Sequence, residues 1–447
     1  MQPLLTQAAE RANHYLEKID QRSVFPTPEA IAALATFDEP LPAVSTDPAA
    51  VLTLLDQYGS PATTTSAGPR YFGFVTGGTL PAALAANWLA AAWDNNGGLI
   101  VESPINAKLE ATALRWLVDL FGLPATTGGG FVTGATMANF TALAAARHAL
   151  LKRQGWDVEA QGLFGALPLT VVVGNEVHVS VLKALSMLGL GRERVIRAPV
   201  DGQGRMRPDT LPPLDDKTLL ILQVGNVNTG ACDPVGELCA QARNSGAWVH
   251  VDGAFGLWAA VAPERAHLVA GVGAADSWAT DAHKWLNVSY DSGLVFCRNP
   301  EHLRAAMAAS AAYLIASDAR EPSDYTPEMS RRSRGIEIWA ALRSLGRSGL
   351  ADLIERNCRY AARFAEGLRT AGFEILNDVA LNQVMVSFGD NETTRRVIAA
   401  VQQDGACWAG GTTWRGRAAM RISVSSWATT AEDVEKSLAA IVRVAKS

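Results

Sequence analysis

Lys284 sits in the run Thr280-Asp281-Ala282-His283-Lys284-Trp285, between the apolar stretches 275–279 and 292–296. A lysine there is costly to bury unless its charge is used or removed. Desolvation helps it lose its proton, and the bare amine then condenses with an aldehyde to form an imine. The competing reading is an ammonium that snorkels to water at a strand–loop boundary. Asp252 ends a second apolar run, Trp248-Val249-His250-Val251, so it needs a cation or hydrogen bonds. Gly253 and Ala254 beside it leave room for a large flat group. His250 and Asp252 share one strand face and could ligate a metal, but no third ligand suggests itself and no metal is expected.

Three further residues or segments could join them. Gly134, Ala135 and Thr136 form a turn of small residues between a strand ending near Thr133 and a helix beginning at Met137. Helix N-terminal amides favour an anion, small residues let a phosphate approach, and the threonine hydroxyl adds a donor. Ordinary capping by Thr136 also accounts for the threonine. No Gly-Lys pair is present and the triple glycine 128–130 precedes the strand, which excludes a P-loop and a dinucleotide fingerprint. His178 follows the apolar run 169–173, where its ring could stack on a flat group or cap the next helix. Tyr313 leads into the polar loop 317–327, a candidate lid; the plainer reading is a half-buried aromatic.

The elements that must position these residues alternate. Short apolar or β-branched runs at 131–133, 169–173, 219–222, 248–251 and 293–296 are separated by Ala/Leu-rich segments at 137–152, 179–188 and 235–245. This pattern predicts an α/β domain over 66–320 with a mainly parallel sheet, and functional residues at the carboxyl ends of its strands. Residues 1–65 read as a helix followed by Pro-rich chain, suited to an arm on a partner surface. Residues 321–447 read as a smaller α+β domain. The apolar stretch 80–93 is too short to span a bilayer and reads as a buried helix.

Composition narrows the function. The 447 residues are 48% hydrophobic and carry a net charge of −5, so nucleic acid is not an expected partner. Five scattered cysteines without a CxxC pair fit neither a disulfide framework nor a zinc site. With no basic segment or apolar core at the N-terminus, a cytoplasmic protein is expected and no membrane association.

One cofactor uses all five positions. Pyridoxal 5'-phosphate offers a phosphate, a flat ring, a ring nitrogen that wants an anion, and an aldehyde that wants a lysine. At these residues the chain resembles the group II pyridoxal phosphate-dependent amino-acid decarboxylases, the family of aromatic amino-acid and glutamate decarboxylases. The likeness runs from about Arg70 to Leu345 through Pro69-Arg70-Tyr71-Phe72-Gly73-Phe74, Glu176-Val177-His178-Val179-Ser180, His250-Val251-Asp252-Gly253-Ala254 and His283-Lys284-Trp285.

The resemblance implies a fold type I, aspartate aminotransferase-like enzyme. It implies that Lys284 bonds the cofactor, Asp252 pairs with the ring nitrogen, Ala254 packs on the ring and His178 covers its other face. Gly134, Ala135, Thr136, Asn226 and His283 are the remaining cofactor contacts, and Phe74, Val75 and Thr76 are the substrate-pocket candidates. Tyr313, 29 residues after Lys284, stands at the spacing of the catalytic-loop tyrosine of aromatic decarboxylases. The implied reaction is decarboxylation of an L-amino acid to its amine by a homodimer with sites at the subunit interface. Aldehyde-forming oxidative decarboxylation, transamination and carbon–carbon lyase chemistry are the alternatives. Three departures stand out: Gly225-Asn226-Val227 replaces Gly-Thr-Thr, Asp281-Ala282 replaces Asn-Pro, and Asn96 and Gly98 fall where aromatic decarboxylases are apolar near the substrate.

Overall fold

The computed structural model describes residues 1–309 and 319–447. By packing, the chain divides into two units. One comprises Met1–Thr76, Arg363–Leu376 and Val384–Ser447; the other comprises Gly77–Ala362 and Asn377–Gln383. The sequence boundaries at 65 and 320 follow composition, whereas this division follows contacts.

The larger unit holds a seven-stranded sheet. Its strands are β1 (Gly128–Val132), β2 (Thr170–Gly174), β3 (Ile196–Ala198), β4 (Thr218–Gln223), β5 (Trp248–Asp252), β6 (Ser277–Asp281) and β7 (Gly293–Cys297), in the spatial order β1-β7-β6-β5-β4-β2-β3. β6, β5, β4, β2 and β3 pair in parallel, and β7 is antiparallel to both β6 and β1. The alternation of apolar runs with helical segments is thus realised as the expected α/β sheet. Strands β5 to β7 are buried throughout, which explains why they read as continuous apolar runs.

The Ala135–Arg153 helix packs against this sheet. Ala138, Ala142, Ala145, Ala146 and Ala149 are all buried, together with Leu143 and Leu150. Alanines on that face let the helix axis approach the strands closely and cost little side-chain entropy.

The triple glycine lies inside β1, not before it as the sequence reading had it. Close approach is the reason. A Cβ on Gly129 would come within 2.1 Å of the Val295 carbonyl oxygen, and one on Gly130 within 2.8 Å of the Tyr325 carbonyl oxygen. β1 is an edge strand, and its outward carbonyls are capped by arginines. Arg320 donates to the Gly129 oxygen at 2.6 Å and Arg331 to the Phe131 oxygen at 2.6 Å. Glu110, fully buried, pairs with both guanidiniums. An unpaired edge is thereby closed and the strand entering the Gly134 turn is fixed.

The Pro81–Trp93 helix departs from expectation. Only Ala83 is buried, and Trp88, Leu89 and Trp93 lie 42–55% exposed. Apolar composition without periodicity does not say what covers the helix.

The other unit carries a four-stranded sheet of β8 (Glu374–Ile375), β9 (Gln383–Ser387), β10 (Gly410–Trp414) and β11 (Arg417–Ser423), ordered β10-β11-β9-β8. β10 has no counterpart in the sequence reading, because Gly-Gly-Thr-Thr-Trp shows no apolar alternation. The two helices expected around Gly346 form one segment, Gly335–Thr370, broken at Gly346 where φ is +61°. Among the described residues no helix is long and apolar enough to cross a membrane.

Candidate active site

The carboxyl ends of β5 and β6 and the N-terminus of the Ala135–Arg153 helix come together around Asp252. That carboxylate is 3% exposed. Its hydrogen bonds come from the Asn139 amide at 3.3 Å and the Ala254 backbone N–H at 3.2 Å, both neutral donors. Burial holds its pKa above the ordinary carboxylate value, while His178 and Lys284 nearby pull the other way.

Asn139 is a residue the sequence reading missed. Its orientation is set by a relay of hydrogen bonds. The Trp248 indole N–H donates to the Ser277 hydroxyl at 3.0 Å, and that hydroxyl meets His250 Nδ1 at 2.9 Å. His250 Nε2 meets the Asn139 side-chain oxygen at 2.9 Å. Burial drives the His250 pKa down to about 3, so the ring is neutral and carries one N–H. Asn139 donates its NH2 to Asp252, so its oxygen faces His250 and the ring N–H lies on Nε2. The asparagine oxygen is thereby occupied, and its NH2 faces Asp252. The signal in the sequence was a lone amide in an alanine-rich helix, three residues after Thr136. His250 is thus hydrogen-bonded through both ring nitrogens, which leaves it no free nitrogen for the metal site considered with Asp252.

His178 is the N-cap of the Val179–Met187 helix. Its Nδ1 accepts the Ser180 N–H at 3.3 Å and lies 2.7 Å from the Ser180 hydroxyl. The capping alternative is realised, and the same ring still faces Asp252 electrostatically.

The phosphate-turn expectation, a helix beginning at Met137, places the start two residues late. The helix begins at Ala135 with Gly134 as N-cap, and no side chain caps it, Thr136 included. A Cβ on Gly134 would lie 3.2 Å from the His283 ring and 3.6 Å from Asp281 Oδ1. The open helix end therefore faces the His283-Lys284 segment.

Lys284 follows β6 in a tight turn. Its Nζ lies 3.1 Å from Asp281 Oδ2, and His283 Nε2 lies 3.6 Å from the same oxygen. His283 Nδ1 accepts the Ser292 N–H at 3.1 Å. Burial lowers the His283 pKa, opposed by Asp281. Gly77, a second missed residue, lies directly against the lysine backbone: a Cβ there would sit 1.8 Å from the Lys284 carbonyl oxygen. Ala254 is tied to the same corner, its carbonyl accepting the Asp281 N–H at 2.9 Å.

The remaining candidates are placed differently. Asn226 uses its side chain within its own turn, accepting from the Asn228 and Thr229 N–H groups and donating to Gln223 at 2.9 Å. Phe74, Val75 and Thr76 belong to the other unit, where Phe74 stacks on Trp408. Phe74 and Val75 both have positive φ, which is unusual for an aromatic and more so for a β-branched residue. Asn96 accepts from the Gly98 and Arg331 N–H groups and donates to Glu102. Gly98 packs against the Met329 carbonyl oxygen, which a Cβ would approach to 2.1 Å. Tyr313 lies outside the described residues.

A parallel-centred sheet with an open helix N-terminus, a buried strand-end aspartate and a lysine in one corner defines a fold type I pyridoxal phosphate enzyme. The comparisons agree. The family described as the pyridoxal-dependent decarboxylase conserved domain matches residues 34–389. L-tyrosine/L-DOPA decarboxylase 2 of Lophophora williamsii is 29% identical over 330 residues, 69% of this chain and 62% of that one. Aspartate 1-decarboxylase of Aliivibrio fischeri is 33% identical over 271 residues, 57% of this chain and 49% of that one. The chain thus spans less than two thirds of the length of these two relatives. The crystal structure of the Oryza sativa enzyme TDC with PLP and tryptamine superposes with a TM-score of 0.91 at 23% identity, covering 100% of this chain and 97% of that one, a likeness of fold. The chain belongs to the pyridoxal-dependent decarboxylases, a family of carboxy-lyases, and its cofactor is pyridoxal phosphate.

The residues present fit that group. Among the described residues Asp252 is buried with only neutral hydrogen-bond donors, and it would meet a protonated ring nitrogen. The uncapped helix end at Gly134 suits a phosphate. Asp281 Oδ1 and the Ser292 hydroxyl are buried without hydrogen-bond partners among the described residues.

Proposed function

We propose that this chain decarboxylates an L-amino acid to the corresponding amine and CO2. Pyridoxal phosphate, when bound, supplies an aldehyde and a ring that accepts the electron pair left by the departing carboxyl group. The observation that carries the reading is the sealed Asp252 carboxylate in the same corner as Lys284. Asp252 holds the ring nitrogen protonated, which keeps the ring able to accept electrons. Asn139 and the Ala254 N–H fix the direction of that carboxylate. The helix amides from Ala135 onward, with the Thr136 hydroxyl and His283, bind the phosphate. Lys284 carries the cofactor between turnovers, and His178 covers the ring face. Phe74, Val75 and Thr76 are the substrate-side candidates; the positive φ of Phe74 and Val75 supports this role.

Tyr313 donates the proton to the substrate Cα and thereby favours the amine product over an aldehyde. Purified protein with its cofactor should release CO2 and a primary amine from at least one of the twenty amino acids, without peroxide. Tyr313→Phe should divert product toward aldehyde and peroxide. No CO2 from any amino acid ends the reading; unchanged amine output from the variant ends the role of Tyr313.

The enzyme acts as a homodimer in a reducing compartment. The exposed Trp88, Leu89 and Trp93 of the larger unit and five free, buried cysteines support this. Sedimentation at micromolar concentration should give twice the 47.4 kDa chain mass, and a monomer would refute it.

A further inference from the structure

Asp281 is not accounted for by the reaction. It is 2% exposed, stands at the end of β6, and replaces the neutral asparagine of the resembled motif. A buried carboxylate needs a positive partner or hydrogen bonds, and Asp281 Oδ1 has no hydrogen-bond partner among the described residues. Two basic groups reach it: Lys284 Nζ at 3.1 Å and His283 Nε2 at 3.6 Å from Oδ2. His283 is held toward its neutral form by burial, which leaves the lysine as the cation. The charges facing this pair are few. Asp252, on the neighbouring strand, interacts with Lys284 and His178, and Asp291 faces His283. Asp281 alone is in ion-pair contact with the amine among the described residues.

We propose that Asp281 is a positioning residue that holds Lys284 as an ammonium whenever the lysine is not bonded to the cofactor, and so governs how fast the enzyme takes up its aldehyde. The inference rests on the reading of Lys284 as the cofactor-bearing amine. An ammonium cannot add to an aldehyde. It must first release a proton; the bare amine then adds to the aldehyde carbon, water leaves, and an imine remains. The carboxylate 3.1 Å away stabilises the protonated form and slows that first release. The same contact gives the amine a fixed resting place while a substrate occupies the aldehyde carbon.

The test is uptake of aldehyde by the apoenzyme, followed by growth of the visible absorption band. Removing the Asp281 carboxylate also removes a negative charge near a phosphate. Pyridoxal, which lacks the phosphate, is therefore the probe. Asp281→Asn should take up pyridoxal roughly tenfold faster than wild type at pH 7. Asp281→Ser is the second variant, should the asparagine disturb the turn, with the same expectation. Equal pyridoxal rates in wild type and variants overturn the proposal, as does a gain confined to the phosphorylated aldehyde. Borohydride trapping in the same samples separates the two readings. An adduct on Lys284 with unchanged rates sinks the role of Asp281 alone, whereas no adduct on Lys284 sinks the functional reading as well.

Discussion

A carboxylate sealed from water acts on a cofactor ring only if its charge and its direction are both fixed. Asp252 has both. The relay from Trp248 through Ser277 and His250 to Asn139 contains alternating donors and acceptors, and each link fixes the next. His250 serves this relay because it is neutral; a protonated ring would donate from both nitrogens and reverse the Ser277 link. Asp252→Ala should lower kcat by a thousandfold or so, the scale of losing an electrostatic partner inside a dry site. The melting temperature of the apoenzyme should stay within a few degrees, since a buried carboxylate held by neutral donors adds little stability. A variant with near-normal kcat, measured by CO2 release, would contradict the assignment. Lys284, Asp252 and His178 were legible from residue type and position at strand ends. Asn139 and Gly77 were not, because an amide on a helix and a glycine in a loop acquire meaning only from what they touch.

Elements position these residues through contacts that local pattern does not encode. The Ala135–Arg153 helix and strands β2, β4, β5 and β7 were legible because buried apolar runs and helical segments alternate, whereas β6 was not among the expected strands. The place of the triple glycine was not, since its reason is the carbonyls of Val295 and Tyr325 across space. A second device lies at the end of β4. Asp233 accepts the Gln223 N–H at 2.7 Å and the Met206 N–H at 2.6 Å, one on each carboxyl oxygen. It ties the chain after β3 to the strand beside β5. Burial pushes its pKa up to about 6, against about 3.9 in an unfolded chain. A raised folded value means that this group's contribution to stability is complete below about pH 4 and is lost as pH rises through about 6. Between pH 7 and pH 5 the wild type should therefore gain about 1 kcal/mol more than Asp233→Asn in urea unfolding of the apoenzyme. An identical pH dependence in the two proteins would show that the carboxylate is ionised throughout.

At the scale of the molecule, composition pointed away from nucleic acid as a partner, and the order of phosphate turn, histidine, aspartate and lysine pointed to one cofactor. The sheet then placed Gly134, Asn139, His178, Asp252 and Lys284 in one corner, although they are spread over 150 residues of sequence. What the sequence left open is what depends on surfaces. The Pro81–Trp93 helix reads as buried and is exposed within the chain, and Asn96 and Gly98 meet the segment around Met329 and Arg331, contacts that sequence pattern does not show. The substrate follows from neither, and relatives of similar identity act on an aromatic and on an acidic amino acid. Every assignment depends on the amine of residue 284 carrying the cofactor. Borohydride reduction of the purified holoenzyme, followed by peptide mapping, tests this directly: the account predicts a pyridoxyl group on Lys284, and an adduct on another lysine, or none, would contradict it.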